Sequence, residues 1–292
     1  MRGVAMATVI SFSELDTYRQ CPYKHQLAYG ERWVSPSDAP ALDRGKRTHA
    51  ALEFFYENPM RTTQPKEAMT SALLDAGLIS ETTGEAVDEV AELVTWMLEG
   101  YVEMWGGDSQ WNVVAVEHPV QIKLPGTAIQ IKGKIDLLLT DQQGRLWLVD
   151  HKTGATLPKD KDLDLDVQFG VYAWALRKLG KPVYGMIYNS IRTQRNKGPM
   201  ELTERFSRTL LVRTDAELEQ IALDASMDAR ECYKMLKLAQ KNKTDRPRHF
   251  NTDTCRWRCP YTEACLHGAK NLRGGTRGYL SEIGFVQDFT RH

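Results

Sequence analysis

Two aspartates and a lysine near the middle of the chain could together hold a metal ion and act on a phosphate. Two runs rich in Ile, Leu and Val flank the turn at 141–144, and such runs broken by a Gly-containing turn predict a β-hairpin. With Gly144 in the left-handed position of a three-residue loop, Asp136 lies directly across from Asp150. Because side chains alternate along a strand, Lys152 shares their face.

Close carboxylates beside an ammonium group favour hydrolysis of phosphodiesters. Such carboxylates repel one another unless a hard cation lies between them, and Mg²⁺ and Mn²⁺ prefer oxygen ligands. The ammonium group can orient or deprotonate an attacking water, or neutralise charge that develops on a phosphate. The alternative is a solvated hairpin face with an ordinary ion pair, since Asp-x-Lys alone is a common pattern.

An acidic residue on one strand, a hairpin and then acid-x-Lys resemble the core of the PD-(D/E)XK nucleases. The sequence VDHKTG after GKID is similar in particular to RecB-like exonucleases. The resemblance implies that Asp136 and Asp150 bind Mg²⁺ or Mn²⁺ and that Lys152 is catalytic. It also implies an α/β fold of the restriction-endonuclease type, with a mixed sheet flanked by helices. Asp150 stands where the family usually has Glu.

Three further residues match RecB-like motifs on expected helices. His49 follows Gly45 by four residues, a pattern in which the family's His supplies an imidazole to the metal; a lone helical His is otherwise a surface or packed residue. Gln168 and Tyr172 match a Gln-x3-Tyr motif after the acid-x-Lys strand, and the resemblance implies that they contact the DNA strand. Without it, Tyr172 would be a packing residue and Gln168 solvent-exposed.

Glu117 is a weaker candidate on the strand that precedes the hairpin. It could be an additional metal-associated carboxylate or a polar residue of an edge strand, and Pro119 favours an edge or a bulge here. We expect the edge-strand role.

Three cysteines close to the C-terminus predict a metal centre. Cys255, Cys259 and Cys265 lie within eleven residues, too close for independent core packing, and thiolates are soft metal ligands. Zinc accepts thiolates and imidazoles, whereas a 4Fe-4S cluster prefers four thiolates. The candidates for a fourth ligand are Cys21, Cys232, His249 and His267.

The sequence around the cysteines resembles the iron–sulfur branch of the RecB-like nucleases. The segment SELDTYRQCPYKHQLAY is similar to the N-terminal part of CRISPR-associated exonucleases of this branch and of the AddB nuclease domain. The resemblance implies a 4Fe-4S cluster on Cys21, Cys255, Cys259 and Cys265, although the first C-terminal gap is three residues where the branch usually has two. Closing so long a loop would stabilise the fold by on the order of 5 kcal/mol, so we expect a structural centre.

Basic and aromatic residues alternate around the cysteines. This pattern suits a groove that follows a nucleic-acid backbone and stacks its bases, or else arginines that only offset thiolate charge. A loop between two expected strands is a second candidate for phosphate contact, or a solvated turn. The residues beside the cysteines are Lys241, Lys243, Arg246, Arg248, Arg256, Trp257 and Arg258, and those of the loop are Arg192, Arg195 and Lys197.

Helices before the hairpin and strands after it must position these residues. Ser11 and Glu14 have the spacing of a capping box, and Asp43 can cap the helix that carries His49. Further helices are expected over 64–77, 81–105 and 215–240, and strands over 111–124, 182–191 and 206–212. We expect a single RecB-like domain, with a mainly helical part at 11–107, the sheet and motif helix at 108–214, and the C-terminal helix and cysteine segment at 215–292.

Composition limits the class of protein. The 292 residues can bury a real core, and the 38 basic and 38 acidic residues balance, so attraction to phosphate has to come from local patches. No apolar run approaches the ~20 residues of a transmembrane helix, and the apolar stretch at the N-terminus is too short for a secretory signal. We therefore expect a cytoplasmic protein with no membrane partner. The lack of a Walker-type Gly-x4-Gly-Lys-Ser/Thr sequence predicts no ATP-driven activity.

Together, the residues and the resemblance predict a Mg²⁺- or Mn²⁺-dependent DNA exonuclease. Single-stranded ends are the expected substrate, in phage or prokaryotic recombination, repair or spacer acquisition. One alternative is a catalytically idle DNA-binding or scaffold subunit, against which the intact acids and lysine argue. Another is a zinc-binding, transcription-type nucleic-acid module in which the cysteines carry the function.

Overall fold

Helices and strands are mixed along the chain in the computed structural model, which describes residues 8–36, 40–257, 259–270 and 275–289. The helices are α1 Phe12–Gln20, α2 Pro22–His25, α3 Pro40–Glu57, α4 Pro65–Asp75, α5 Glu89–Trp105, α6 Asp160–Leu163, α7 Val167–Lys178, α8 Leu202–Arg205, α9 Asp215–Asn242, α10 Thr252–Trp257, α11 Thr262–Ala269 and α12 Gly275–Glu282, with a π-helical turn at Gln26–Gly30. The strands are β1 Val9–Ser11, β2 Trp33–Val34, β3 Asn112–Lys123, β4 Gln130–Thr140, β5 Leu146–Gly154, β6 Val183–Arg192, β7 Phe206–Leu211 and β8 Val286–Gln287. Among the described residues, no helix has both the length and the apolar character that crossing a membrane requires.

The chain forms two compact units. The first contains residues 39–121 and 133–222, and the second contains residues 122–132 with the parts of the chain up to 38 and from 223. We call them the sheet unit and the terminal unit. The single domain with three parts that the sequence suggested stays a prediction.

A mixed β-sheet forms the centre of the sheet unit. Its strands follow the order β4–β5–β6–β7, and β3 also pairs with β4. The β4–β5 and β6–β7 pairs are antiparallel, whereas β5 and β6 are parallel. The parallel pair is possible because the chain crosses over through α7 between the two strands.

The β4–β5 hairpin has the register expected from the sequence. Leu137 pairs with Val149, and the same register continued by one residue sets Asp136 opposite Asp150. Gly144 has a φ of +75°, a left-handed conformation that glycine adopts without steric cost. The predicted three-residue turn is therefore confirmed.

Asp141 fixes this turn in place. Its carboxylate accepts hydrogen bonds from the backbone N–H groups of Gln143 and Arg145, from the Arg145 guanidinium at 2.6 Å and from the Trp147 indole at 3.0 Å. Burial would raise the pKa of this carboxyl, but the donors outweigh burial and lower its pKa to about 2. The carboxylate stays ionised, and the turn stays fixed, over the ordinary pH range.

The main core of the sheet unit lies between one face of the sheet and helices α3, α4 and α5. Leu137, Val149 and Ile187 come from three neighbouring strands, and Phe55 and Tyr101 meet them as fully buried residues. A slip of one residue would turn these apolar strand residues to the other face, so the core also fixes the hairpin register.

Helix α7 packs on the opposite face of the sheet. Tyr188 follows Ile187 and therefore points away from the main core, and its ring lies 5.3 Å from that of Phe169 in α7. Helices thus flank both faces, as expected for a mixed α/β fold.

Two helices begin at residues other than those expected. Helix α3 begins at Pro40, so Asp43 lies in its first turn and is not its N-cap. The helix expected over 81–105 begins only at Glu89, after turns that include Gly84 at a φ of +70°. Asp88 is its N-cap, because a short carboxylate can accept a hydrogen bond from the first turn.

The terminal unit combines the two ends of the described chain. Strand β1 pairs in parallel with residues 130–132, and β2 pairs with β8 in the antiparallel sense. The predicted cap at Ser11 is confirmed, because its hydroxyl accepts a hydrogen bond from the Glu14 N–H at 3.1 Å. The small core of this unit contains Tyr23, Leu27, Trp33, Tyr261, Ala264, Leu280 and Phe285.

Candidate active site

Asp150 and Lys152 form an ion pair near the end of β5. Nζ of Lys152 lies 2.6 Å from Oδ2 of Asp150, whose side chain is only 7% exposed. Burial raises the pKa of Asp150 to about 6 even though Lys152 opposes the effect. Burial would lower the pKa of Lys152, but Asp150 more than offsets this and raises it, so the lysine is an ammonium ion.

Asp136 faces His49 of α3. Nδ1 of His49 lies 3.4 Å from Oδ1 of Asp136, and the other oxygen of Asp136 accepts a hydrogen bond from the backbone N–H of His151 at 2.7 Å. Burial would raise the pKa of Asp136, but His49 and His151 lower it. Burial would likewise lower the pKa of His49, but Asp136 raises it. Each partner therefore favours the charged form of the other.

Glu117 joins His49 and Asp136. One ligand atom from each of these three side chains lies within 4.8 Å of the others, so the group could hold a metal ion. Glu117 also pairs with Lys134. Asp150 is not part of this group, and its Oδ2 is paired with Lys152. Glu117 lies in β3, which among the described strands pairs with β4, so the expected position on an edge strand fits, while a metal-binding role for its carboxylate stays a prediction.

Gln168 and Tyr172 lie on α7 with different surroundings. Oε1 of Gln168 accepts a hydrogen bond from the Lys152 ammonium at 3.0 Å, so the amide faces the ion pair rather than open solvent. Tyr172 is 5% exposed and lies against Gly133, where a Cβ atom would be 2.3 Å from the tyrosine hydroxyl. Its ring is a packing element, and contact of either residue with DNA stays a prediction.

A buried polar network anchors the acid-x-Lys strand from the other face of the sheet. His151 is fully buried, and burial lowers its pKa to about 3. The amide of Asn189 donates to Nδ1 of His151 at 2.6 Å and accepts from Nε of Arg208 at 3.1 Å. Arg208 in turn donates two hydrogen bonds to the buried Asp108, at 2.6 and 2.7 Å.

Sequence spacing does not reveal this network. Asn189 and Arg208 occupy positions that face the core in otherwise apolar strands, which is the pattern of buried polar groups that need partners. Their partner Asp108 lies in a turn with a φ of +53°, and sequence spacing gives no indication that it reaches them.

Comparison with known proteins decides the family. The family model described as the PD-(D/E)XK nuclease superfamily matches residues 9–266. The chain belongs to this superfamily. The nuclease class and the mixed α/β fold predicted from the sequence are therefore confirmed, and members of this superfamily use divalent metals and act on nucleic acid.

One relative and one solved structure illustrate the likeness of this PD-(D/E)XK chain to others. The relative is an ATP-dependent helicase/deoxyribonuclease component from Desulforudis audaxviator (strain MP104C), 29% identical over 196 residues, which are 56% of this chain and 16% of that protein. The chain thus spans about a sixth of that relative. A crystal structure of a Eubacterium rectale protein, provisionally named an exonuclease, has a TM-score of 0.51 at 16% identity, over 86% of this chain and 88% of that one, and shows the same fold.

Four cysteines of this PD-(D/E)XK chain line one cavity in the terminal unit. Cys21, Cys255, Cys259 and Cys265 are free thiols that border a space of about 80 Å³. The structure therefore brings the N-terminal cysteine to the three C-terminal ones, as the resemblance implied. Which group they bind stays a prediction.

The other candidates for a fourth ligand lie in different places. His249 also lines the cavity, and its backbone N–H donates to Sγ of Cys21 at 3.4 Å. Cys232 is buried, with its sulfur 3.6 Å from the imidazole of His25, and is not among the lining residues. The ring of His267 stacks on Tyr279. Cys21 and His249 are the candidates that reach the cavity.

Two exposed aromatic side chains flank the same cysteines. Phe250 is 61% exposed and Trp257 is 76% exposed, with the Arg256 guanidinium 5.4 Å from the centre of the Trp257 ring. Arg246 does not line a surface groove as expected, because its side chain is buried and forms a hydrogen bond with the imidazole of His25. Arg258 lies outside the described residues.

Contacts within the sheet unit partly neutralise the second basic loop, which carries Arg192, Arg195 and Lys197. Arg195 pairs with Glu92 at 2.9 Å, and Arg192 donates to the Asn196 side chain at 3.0 Å. Lys197 is exposed. The solvated-turn interpretation describes this loop better than a preformed phosphate site.

Proposed function

We propose that the chain is a Mg²⁺- or Mn²⁺-dependent DNA exonuclease that hydrolyses phosphodiester bonds at single-stranded ends. The observation that carries this proposal is the convergence of Asp136, Asp150 and Lys152 at the end of one hairpin in a nuclease fold. His49 adds an imidazole to Asp136. The name of the helicase/deoxyribonuclease relative supports action on DNA. The proposal includes a role in prokaryotic or phage recombination, repair or spacer acquisition, in the cytoplasm.

The donor atoms fit a hard divalent ion. His49, Asp136 and Asp150 would hold it through one imidazole nitrogen and carboxylate oxygens, which Mg²⁺ and Mn²⁺ accept. A pKa of Asp150 near 6 indicates that its bare carboxylate is disfavoured, and a nearby cation removes that penalty. A bound ion would polarise the phosphate and lower the pKa of a water molecule beside it.

Lys152 acts in this proposal as a fixed positive charge rather than as a base. Its raised pKa keeps the proton on Nζ, and Asp150 and Gln168 hold the ammonium group from two sides. As the water oxygen bonds to phosphorus and the ester P–O bond breaks, negative charge grows on the phosphate oxygens and on the leaving oxygen. The ammonium stabilises this charge. Gln168 positions the Lys152 ammonium group, and Gln168 and Tyr172 position the DNA strand.

Digestion of end-labelled DNA tests the proposal. Substrates labelled at either end are incubated with the full chain and Mg²⁺ or Mn²⁺, and products are followed over time. Asp136→Ala and Lys152→Ala should each lower the rate by roughly a hundredfold or more, as expected for loss of a group that stabilises developing charge. Lys66→Ala, on an exposed position of α4, is the matched control. If both variants behave like the parent, Asp136 and Lys152 do not catalyse digestion and the nuclease proposal is wrong; a parent without activity would be catalytically idle.

The preference for single-stranded ends is supported by the exposed aromatic residues. Unpaired bases can stack on Phe250 and Trp257 while Arg256 meets the backbone, and each such stack contributes about 1–3 kcal/mol. Trp257→Ala should weaken binding of a single-stranded oligonucleotide more than binding of a duplex, measured by fluorescence anisotropy. Leu165→Ala, at another highly exposed apolar position, should change neither. Equal losses for both substrates would contradict the preference.

The four cysteines are proposed to hold a 4Fe-4S cluster. A 4Fe-4S cluster takes four thiolates, one for each iron, and the four cysteines that line one cavity supply that number. The exposed Arg256 would offset part of the cluster's charge.

Metal analysis after anaerobic purification tests the cluster. A brown protein with iron and acid-labile sulfide in comparable amounts is the expected result. A colourless protein that contains zinc would replace the cluster by a zinc site and leave the nuclease proposal intact.

A further inference from the structure

His151 is held through both its main chain and its side chain. Its backbone N–H donates to Oδ2 of Asp136 at 2.7 Å, so this main-chain group fixes one oxygen of a carboxylate that the proposed metal needs. Its side chain points away from those of Asp150 and Lys152, because side chains alternate along a strand, and it is 2% exposed. The position of His151 therefore affects Asp136 although its ring lies on the core face of the sheet.

Asn189 faces this ring across the β5–β6 pair. The two residues are directly paired in register, and Nδ2 of Asn189 lies 2.6 Å from Nδ1 of His151. The orientation of the amide follows from Arg208, whose Nε can only donate and lies 3.1 Å from Oδ1 of Asn189. Nδ2 of Asn189 then donates to His151 and to the Tyr101 hydroxyl, at 3.2 Å. The amide has one orientation and holds the imidazole in one.

The remaining hydrogen bonds of the network also have a single direction. The Tyr101 hydroxyl accepts from Asn189 and, at 2.6 Å, from Arg208. Its own proton therefore points to the Tyr56 hydroxyl, 2.6 Å away. Tyr56 in turn donates to the buried carboxylate of Asp108 at 2.6 Å, which also accepts from Arg208. A buried network whose members are satisfied in this way is rigid, so the amide of Asn189 has a fixed position.

The network also reaches the helix that carries His49. Tyr56 follows His49 by seven residues on α3, which is about two helical turns, so the two side chains lie on one face of the helix. The Tyr56 ring stacks on the His151 ring with centres 5.7 Å apart, and the His49 ring meets the His151 ring edge-on at 6.2 Å. A shift of His151 would change where His49 and Asp136 lie relative to one another.

We propose that Asn189 is a positioning residue of the metal site and that it acts through His151. By fixing the imidazole, the amide fixes both the main-chain N–H that orients Asp136 and the ring that His49 contacts. The two ligands are thereby spaced for an ion before one binds. The assignment rests on the proposed function for the metal-binding role of His49 and Asp136.

Hydrogen exchange and Mn²⁺ binding of the full chain, both without DNA, test this assignment. Asn189→Leu keeps a side chain of similar size and removes the donor. In the metal-free protein the backbone N–H of His151 should exchange roughly tenfold faster relative to that of Leu148 in the same strand, measured by nuclear magnetic resonance. Mn²⁺ affinity, measured by electron paramagnetic resonance, should fall by roughly tenfold or more, as expected for loss of a group that orients a metal ligand.

Leu73→Ala is the control for lost stability. It truncates a buried side chain of α4 in the same core and removes none of the polar groups of the network. It should lower the melting temperature and leave both the Mn²⁺ affinity and the kcat of DNA digestion unchanged. In Asn189→Leu, by contrast, kcat should fall while KM for DNA changes little, because the metal ligands and not the strand contacts are displaced.

Two variants of His151 keep the test independent of a folding defect at Asn189. His151→Asn places an amide oxygen near the position of Nδ1, where it can accept from Asn189, whereas His151→Leu offers no acceptor. His151→Asn should retain most of the Mn²⁺ affinity and of kcat, and His151→Leu should lose roughly tenfold in both. If the two variants behave alike, the assignment is overturned.

The same measurements separate this assignment from the nuclease proposal. If the parent binds Mn²⁺ and digests DNA, and Asn189→Leu equals it in exchange rate, Mn²⁺ affinity and kcat, the nuclease proposal stands and Asn189 is not a positioning residue. If the folded parent binds no Mn²⁺, the proposed metal site is wrong and the assignment falls with it.

Discussion

Asp150 is a carboxylate in surroundings that disfavour its charge. Its side chain is almost fully buried, and burial raises its pKa to about 6 in spite of the ammonium group at 2.6 Å. Such an arrangement costs stability when no cation is bound, and sites that perform chemistry commonly carry this cost. Such a cost is expected if Asp150 binds an ion, as proposed, and would not be expected of a residue that only holds the fold together.

Replacing Asp150 by Asn should therefore stabilise the metal-free protein at alkaline pH. The folded pKa, about 6, is above the ordinary value near 4, so the native state holds this proton more tightly than the unfolded chain. The stabilisation that the bound proton provides is complete below about pH 4 and is lost as the pH rises through 6. At pH 8 the substitution should raise the free energy of unfolding by on the order of 2 kcal/mol. Loss of the ion pair with Lys152 reduces this gain.

Urea unfolding in EDTA at pH 4 and pH 8 measures the effect. Asp162→Asn, at an exposed position of α6, should change stability little at either pH. A gain from Asp150→Asn that is equal at the two pH values, or a loss at pH 8, would contradict the argument.

Arg208 should matter for stability far more than an arginine on the surface. Asp108 is fully buried, and Arg208→Met would remove its ion-pair partner and two hydrogen bonds, leaving the bond from the Tyr56 hydroxyl. Loss of one partner of such a pair costs about 3–5 kcal/mol. Arg195→Met breaks an exposed pair with Glu92 and should cost less than about 1 kcal/mol.

Chemical denaturation of the two arginine variants makes the comparison direct. The double variant Arg208→Met with Asp108→Asn should recover part of the loss, because no bare charge remains buried. Similar losses for Arg208→Met and Arg195→Met would show that the network does not contribute as described.

Sequence spacing located the residues whose positions depend on local geometry. The register of one hairpin sets Asp136 across from Asp150, and a turn of three residues determines that register. The left-handed backbone at Glu117 and the role of Arg208, whose partner lies about one hundred residues away, were not predicted. Neither a strained φ nor a distant partner leaves a local pattern in the sequence.

At the scale of elements, Gly133 of β4 allows helix α7 to pack closely against that strand. The hydroxyl of Tyr172 lies where a side chain of Gly133 would begin, and Gln168 on the same helix accepts a hydrogen bond from Lys152. The Gln-x3-Tyr spacing thus describes one residue that fixes the helix and another that meets the ion pair. The motif was predictable from the sequence, but this division of roles required the close approach at Gly133.

Gly133→Ala should push α7 away from the sheet. The new Cβ would lie 2.3 Å from the hydroxyl of Tyr172, well inside van der Waals contact, so helix or strand has to move. Overpacking of this kind costs about 1–3 kcal/mol. Gly198→Ala is the matched control, because no atom lies within 4 Å of its new Cβ.

Thermal unfolding measures the stability of the two glycine variants, and DNA digestion measures their activity. Activity should fall in Gly133→Ala, because Gln168 moves together with the helix, and should stay unchanged in Gly198→Ala. Equal stability and activity in both would mean that the contact tolerates a methyl group.

At the scale of the whole molecule, cysteines from two distant parts of the sequence line one cavity of the terminal unit. Cys21 is the N-cap of α2, whereas the other three cysteines of the cavity lie between 255 and 265. A shared metal group would close a loop of more than two hundred residues. The cysteine spacing predicted a metal centre on the last three and left four candidates for the fourth ligand, and only the resemblance implied Cys21.

Cys21→Ser should cost the protein both its metal and much of the stability of the terminal unit. Loss of a cross-link across so long a loop costs on the order of 5 kcal/mol in the entropic model. Cys232→Ala removes a buried cysteine that does not line the cavity and should keep the iron. Iron content and thermal unfolding are measured together, and full iron content in Cys21→Ser would exclude that residue as a ligand.

The separation of these cysteines sets an order of events during synthesis. Cys21 leaves the ribosome more than two hundred residues before Cys255, so an emerging chain carries one unshielded thiol while its partners do not yet exist. The hairpin of the sheet unit is translated in between and can fold first. If the four cysteines bind the proposed cluster, its assembly has to follow translation of Cys265, and a shortage of iron would then leave folded sheet units whose Cys21 is not linked to Cys255.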